Sequence, residues 1–184
     1  MENDAPDKLI SSGIRNGLII GFAASSLVLL VYMIDYTFLV NWSFGLITLI
    51  IFMGLIIYFG KQYRDSHSGY LAFSHAYQLS FIMFVAAYLI QVTFNILLHN
   101  VIDPELSELL TENSVRQFEK LYRNLGMSRS QIDTQIDLLE QEMPQQFTAL
   151  GQLKNSWIIV VMSAFFSLIT ALFVKRNKPL MENV

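Results

Sequence analysis

The fold is decided by a short basic stretch that reads YFGKQYRDSHSGY at residues 58–70. It lies between two apolar runs, Trp42 to Phe59 and Tyr70 to Ile102, and neither run contains Asp, Glu, Lys or Arg. An α-helix rises ~1.5 Å per residue, so each run is long enough to cross a hydrocarbon core of roughly 30 Å. The stretch therefore predicts a loop between two membrane spans, and the side on which this loop lies determines the topology of the chain.

Two further uncharged runs lie nearer the termini, Gly17 to Ile34 and Ser156 to Val174. The small residues Ala23 to Ser26 fall inside the first run and not after it, which favours an uncleaved span over a signal peptide. Pro179 is expected to stop the last helix. We therefore predict an all-α integral membrane protein with four transmembrane helices, at about 17–34, 42–59, 76–98 and 156–174.

The composition excludes several classes of protein. The chain is 53% hydrophobic and 15% charged, and its mean hydropathy is +0.44. A net charge of −3 without a basic stripe argues against a nucleic-acid partner. The chain has no cysteine and shows no zinc-protease, phosphate-loop or nucleophile-elbow motif. We expect no catalytic residue, no metal site and no cofactor, and hence no enzyme.

A polar insert, residues 103–154, separates the third and fourth spans and predicts two amphipathic helices. Asp103-Pro104-Glu105 is a typical helix start, Gly126 a typical C-terminal cap, and Ser128 with Gln131 a capping box. Pro144 is expected to end the second helix. The insert is predicted to be a helical extracytoplasmic element between helices 3 and 4.

The apolar side of the insert is its candidate interaction surface. Its residues are Leu110, Phe118, Leu121, Tyr122, Ile132 and Ile136. The two helical stripes can cover each other as a hairpin, lie on the bilayer, or pack on a second subunit. Since the insert holds nine Asp/Glu against five Lys/Arg, a closed hairpin would use its acidic outer face, and its partner would be basic.

The distribution of Lys and Arg predicts the orientation. Seven of them lie in the N-terminal segment, the basic stretch and the C-terminal segment; five lie in the insert, mostly far from the span ends. The positive-inside rule therefore places both termini and the basic stretch in the cytoplasm and residues 103–154 in the periplasm.

The order of these elements resembles a bacterial membrane family known as domain of unknown function 4199, found chiefly in Bacteroidota. The resemblance covers about residues 13–178. It rests on Gly60-Lys61 with Tyr63-Arg64-Asp65 after the second span, on Leu125-Gly126-Met127-Ser128 in the insert, and on Ser167 to Arg176 at the end. It implies four spans and an inner membrane, and it implies no activity.

Small residues on two spans predict close helix packing. Gly13, Gly17, Gly21 and Ser25 recur every fourth residue, a spacing that lets two helix backbones approach in lipid. They could form a homodimer seam, but packing within the four-helix bundle is favoured. Their expected partner face comprises Ser163, Ser167 and Ala171 of the fourth span.

Three polar residues, Gln91, Thr93 and Asn95, lie in the third span, where an unpaired polar group is unfavourable. We expect them to face the bundle interior, either as interhelical hydrogen-bonding groups or as part of a transport path. The preferred function is a non-enzymatic interaction or scaffold protein; the alternative is a small transporter or channel-like protein. The expected partners are membrane lipid and either a second copy or an unidentified membrane or periplasmic protein.

Overall fold

The computed structural model describes residues 4–178, and this part of the chain is built from helices. They are α1 (Asp4–Asp35), α2 (Trp42–Ser66), α3 (Phe73–Leu97), α4 (Leu106–Asn124), α5 (Arg129–Phe147) and α6 (Ala149–Val174). A 3-10 turn, Tyr36–Val40, follows α1, and a π-helical turn, Leu98–Ile102, follows α3. The predicted all-α architecture with four candidate transmembrane helices is confirmed.

Four segments are long and apolar enough to cross a membrane: Asp7–Val40, Trp42–Ser66, Phe73–Ile102 and Ala149–Val174. Little of their apolar surface is covered by protein; in the most apolar window of α2, only 11% of the residues are buried. A soluble protein rarely leaves so much contiguous apolar surface in water. These helices therefore present their outer faces to lipid.

Helix ends follow local sequence signals at several points. The carboxylate of Asp35 accepts hydrogen bonds from the amide (2.9 Å) and hydroxyl (2.7 Å) of Thr37, so it ends α1 and caps the 3-10 turn. The predicted capping box is present, with the amide of Gln131 donating to the hydroxyl of Ser128 and the Gln131 side chain accepting from the Ser128 amide. Gly126 has φ +76°, as expected for a helix C-terminal cap.

Two expectations about helix boundaries are wrong. The basic stretch is helical up to Ser66, because its residues tolerate helix until Gly69, which has φ +74°. Pro144 lies inside α5 and does not end it. The helix that contains the predicted fourth span, 156–174, begins at Ala149. The cap of α6 is Thr148, whose hydroxyl accepts from the amide of Gly151 at 3.0 Å. Pro179 lies outside the described residues.

The chain forms two compact units. The first contains Thr48–Gln91 with α1 up to Ala24 and α6 from Ile158, and the second contains Ser25–Ile47 with Val92–Trp157. The first unit has a core of fully buried side chains: Ile20, Ile56, Leu79 and Met83. The core of the second unit comprises Val28, Leu98, Leu106 and Leu110.

Candidate functional site

The candidate site is a helical hairpin in the second unit, formed by α4 and α5, which pack against each other. The reversal is built from the backbone. The amide of Met127 donates to the carbonyl of Tyr122 (3.2 Å) and that of Gly126 to the carbonyl of Arg123 (3.0 Å), the Schellman arrangement that closes a helix. Ser128, two residues after Gly126, is the N-cap of α5. The hairpin, residues 103–147, is thus closed on itself.

The base of the hairpin is held by a carboxylate. Oδ2 of Asp103 accepts a 2.8 Å hydrogen bond from the hydroxyl of Tyr32 on α1, and Oδ1 accepts a 3.2 Å bond from the amide of Leu106. Asp103 therefore acts as the expected N-terminal cap, although α4 begins only at Leu106. Its hydrogen bond with Tyr32 was not predicted. The sequence shows only that both residues are polar and lie at the end of a span.

Apolar contacts also hold the N-terminal half of α4, which is the half next to Asp103. Leu106 and Leu110 are buried beside Val28 and Leu98, and Phe147 at the end of α5 packs against this cluster. The Phe147 ring lies 5.1 Å from the ring of His99. This contact explains why α5 continues past Pro144: the burial of Phe147 offsets the local cost of the proline.

The predicted insert surface does not form one exposed stripe. Leu110 (2% exposed) and Ile132 (6%) are buried, and Phe118, Tyr122 and Ile136 are half-buried, with the rings of Phe118 and Tyr122 6.0 Å apart. Leu121 is exposed. Most of the stripe is thus buried or half-buried, and Leu110 packs on the cluster that joins the hairpin to the spans.

An open groove of about 500 Å³ lies between the C-terminal half of α4 and the start of α2. It is lined by Val40, Trp42, Ser114, Gln117, Phe118, Lys120, Leu121 and Asn124. Trp42 is 73% exposed. In the sequence Trp42 is only the first residue of an apolar run, and nothing there connects it with Phe118.

The charges of the two hairpin helices differ. On α4, Arg116 pairs with Glu112 and Arg123 with Glu119, so these charges neutralise each other. On α5, three exposed acids, Asp133, Asp137 and Glu140, have i, i+4, i+7 spacing and share one helix face. None of the three forms an ion pair within residues 4–178. The face of α5 that carries these three residues is therefore acidic and exposed.

The glycines of α1 pack against α3 in the first unit. A Cβ built on Gly13 would lie 2.8 Å from Ile82 Cγ2, one on Gly17 2.7 Å from the Met83 carbonyl oxygen, and one on Gly21 2.7 Å from the Ala87 carbonyl oxygen. The expectation that the fourth span faces these glycines is therefore wrong, since their nearest neighbours are on the third span. Ser25, the last residue of the series, is buried.

The small residues of the fourth span are buried elsewhere. Ser163, Ser167 and Ala171 are at most 4% exposed, and the Ser167 hydroxyl donates to the Ser163 carbonyl at 2.6 Å. Ala171 packs in a cluster with Ala76 near the start of α3. At Ala171 the fourth span therefore also packs against the third span.

The polar residues of the third span do not share one face. Gln91 and Asn95 are half-buried, whereas Thr93 is exposed, contrary to the expectation that all three face the interior. The reason is geometric, since two residues turn an α-helix by about 200° and thus place Thr93 opposite the other two. Among the residues that the structure describes, no group of three His, Asp or Glu side chains could hold a metal ion.

The comparisons with known proteins agree with this architecture. A model of the family described as "Protein of unknown function (DUF4199)" matches residues 15–176, and so confirms the resemblance seen in the sequence. No curated protein and no solved structure matches the chain. With four helices able to cross a membrane and a family match over most of its length, the chain belongs to the DUF4199 family and is a multi-pass membrane protein.

Proposed function

We propose that this protein is a non-enzymatic interaction protein of the inner membrane, and that its hairpin recognises a basic segment of another membrane or periplasmic protein. The observation that carries the proposal is the exposed acidic face of α5, on a hairpin whose apolar stripe is mostly buried or half-buried. A surface of this kind attracts a partner by charge and fixes it by polar contacts, and its binding is salt-sensitive.

The proposed orientation puts the hairpin outside the cytoplasm. It rests on the excess of Lys and Arg beside the ends of α2 and α6, compared with the uncharged connection 36–42 and the acidic hairpin. With four spans both termini are then cytoplasmic, and the hairpin between the third and fourth spans projects into the periplasm.

The attachment of the hairpin at both of its ends supports a role in recognition. Asp103 and Leu106 fix its start, and Phe147 fixes its end. A preformed surface loses less conformational freedom on binding than a mobile one, so more of the contact energy appears as affinity.

Transport is the weaker alternative. It would use Gln91 and Asn95, both half-buried, but none of the four predicted span cores carries Asp, Glu, Lys or Arg. Proton- and ion-coupled carriers depend on ionisable groups inside the membrane. We therefore assign the two amides to hydrogen bonding between helices.

The proposal is tested by photocrosslinking in cells. A photoreactive residue at Gln141, exposed on α5, should trap a basic partner, and the double substitution Asp137→Asn with Glu140→Gln should reduce the trapped fraction severalfold. The matched control is Glu112→Gln with Glu119→Gln, which removes two acids that are already neutralised on α4. Equal trapping by both double variants and the unmodified chain would refute recognition by the acidic face.

A further inference from the structure

The chain beyond α6 is held against the turn before α3 by a short backbone pairing. Leu71 and Arg176 exchange two backbone hydrogen bonds, each 2.9 Å long. This antiparallel pair fixes the main chain of Lys175 and Arg176 directly after the last turn of α6. Their positive charges are therefore held in place at the end of the helix.

Aromatic rings orient the same two cations. Lys175 Nζ lies 5.8 Å from the centre of the Phe73 ring, and Arg176 Cζ lies 5.6 Å from the centre of the Tyr70 ring. A cation–π contact uses the face of the ring and leaves N–H donors of the cation available. Both side chains belong to exposed residues, so those donors can reach an anion.

Arg64, in contrast, uses its hydrogen-bond donors within the protein. Its side chain is only 13% exposed, with Nη1 donating to the Val174 carbonyl oxygen at 3.1 Å and Nε to Asp65 at 2.9 Å. It satisfies a carbonyl that the C-terminus of α6 leaves without an intrahelical partner, and it offsets the charge of Asp65. Two further exposed cations lie close to these residues along the chain: Lys61, three residues before Arg64, and Lys178, two residues after Arg176.

The positions of the span ends predict that these cations lie at the level of the lipid headgroups. The candidate spans α2 and α6 end at Ser66 and Val174, and α3 begins at Phe73, all within a few residues of the basic side chains. Clusters of four or more Lys and Arg beside the ends of spans bind anionic lipid headgroups. We propose that Lys61, Lys175, Arg176 and Lys178 form a binding site for the phosphate group of an anionic lipid.

The test uses the full-length protein in nanodiscs of phosphatidylcholine into which phosphatidylglycerol is titrated. The measured quantity is the fraction of phosphatidylglycerol that gives the half-maximal rise in unfolding temperature. Lys175→Gln and Arg176→Gln remove charge but keep the backbone pairing with Leu71. At about fivefold per cation, the double variant should require roughly 25-fold more anionic lipid.

The control is Lys120→Gln with Arg129→Gln, which removes two exposed cations from the hairpin. This control should give the same half-maximal fraction of phosphatidylglycerol as the unmodified chain. If it needs as much more anionic lipid as the Lys175/Arg176 double variant does, the effect comes from net charge alone and the proposed site is wrong. The Arg176→Lys variant retains the charge and should bind within a few-fold of the unmodified chain. Loss of binding in that variant would show that the substitutions act on the fold.

A second arm separates lipid from free phosphate. Inorganic phosphate added to discs of phosphatidylcholine alone should not raise the unfolding temperature, because it lacks the acyl chains that keep a headgroup beside the spans. A rise as large as that given by phosphatidylglycerol would assign the site to soluble phosphate and overturn the lipid proposal. An unchanged titration in the double variant would equally overturn it.

Discussion

The hydroxyl of Tyr32 donates a 2.8 Å hydrogen bond to Oδ2 of Asp103 and so joins the first span to the residue that begins the hairpin. The two residues are 71 positions apart in the chain. The other oxygen of Asp103 accepts from the amide of Leu106, so one carboxylate serves both the span and the first turn of α4. The base of the proposed recognition surface thus depends on this pair.

Tyr32→Phe is expected to loosen the hairpin without unfolding the spans. The loss of this hydrogen bond to a carboxylate frees the start of α4 from the first span. Amide hydrogen exchange should accelerate in residues 103–110 and stay unchanged in α2. Tyr122→Phe is the control, since within residues 4–178 its hydroxyl makes no hydrogen bond that links the hairpin to a span. Identical exchange in both variants would contradict the role given to Tyr32.

Gly17→Leu is expected to separate α1 from α3. Even a Cβ at this position would lie 2.7 Å from the carbonyl oxygen of Met83, and backbone atoms cannot move aside as a side chain can. We expect a loss of about 1–3 kcal/mol or more, seen as an unfolding temperature lowered by several degrees in nanodiscs. Gly54→Leu is the control, because nothing lies within 4 Å of its Cβ position. Equal stability of the Gly17→Leu and Gly54→Leu variants would contradict the close packing of α1 against α3.

Gly151→Ala is expected to disturb the junction between α5 and α6. The added Cβ would overlap the carbonyl oxygen of Gln145, so one of the two helix ends must shift. The shift would also strain the cap that Thr148 provides to Gly151. Protease sensitivity near residue 148 should rise. Gly45→Ala, in the first turn of α2 with open space around it, should leave the cleavage pattern as it is.

Local signals in the sequence predicted local structure well. The Ser128–Gln131 capping box and the left-handed Gly126 each depend on a few neighbouring residues, and the four uncharged runs depend only on length and composition. Such features need no knowledge of the rest of the fold.

Features that depend on distant residues were mispredicted or missed. The spacing of Gly13, Gly17 and Gly21 indicates a close approach but does not select its partner, since small residues occur on the third and fourth spans alike. Pro144 remains helical because Phe147 is packed against a core formed by other elements. Neither the pairing of Tyr32 with Asp103 nor the groove beside Trp42 leaves a periodic pattern in the sequence.

The proposed function depends on the side of the membrane on which the hairpin lies, and a topology assay measures this directly. Fluorescent-protein and alkaline-phosphatase reporters are placed in turn at residue 66, at residue 128 and after residue 178. We predict fluorescence only at residue 66 and after residue 178, and phosphatase activity only at residue 128. Phosphatase activity at residue 66, or fluorescence at residue 128, would invert the orientation and remove the hairpin from the periplasm.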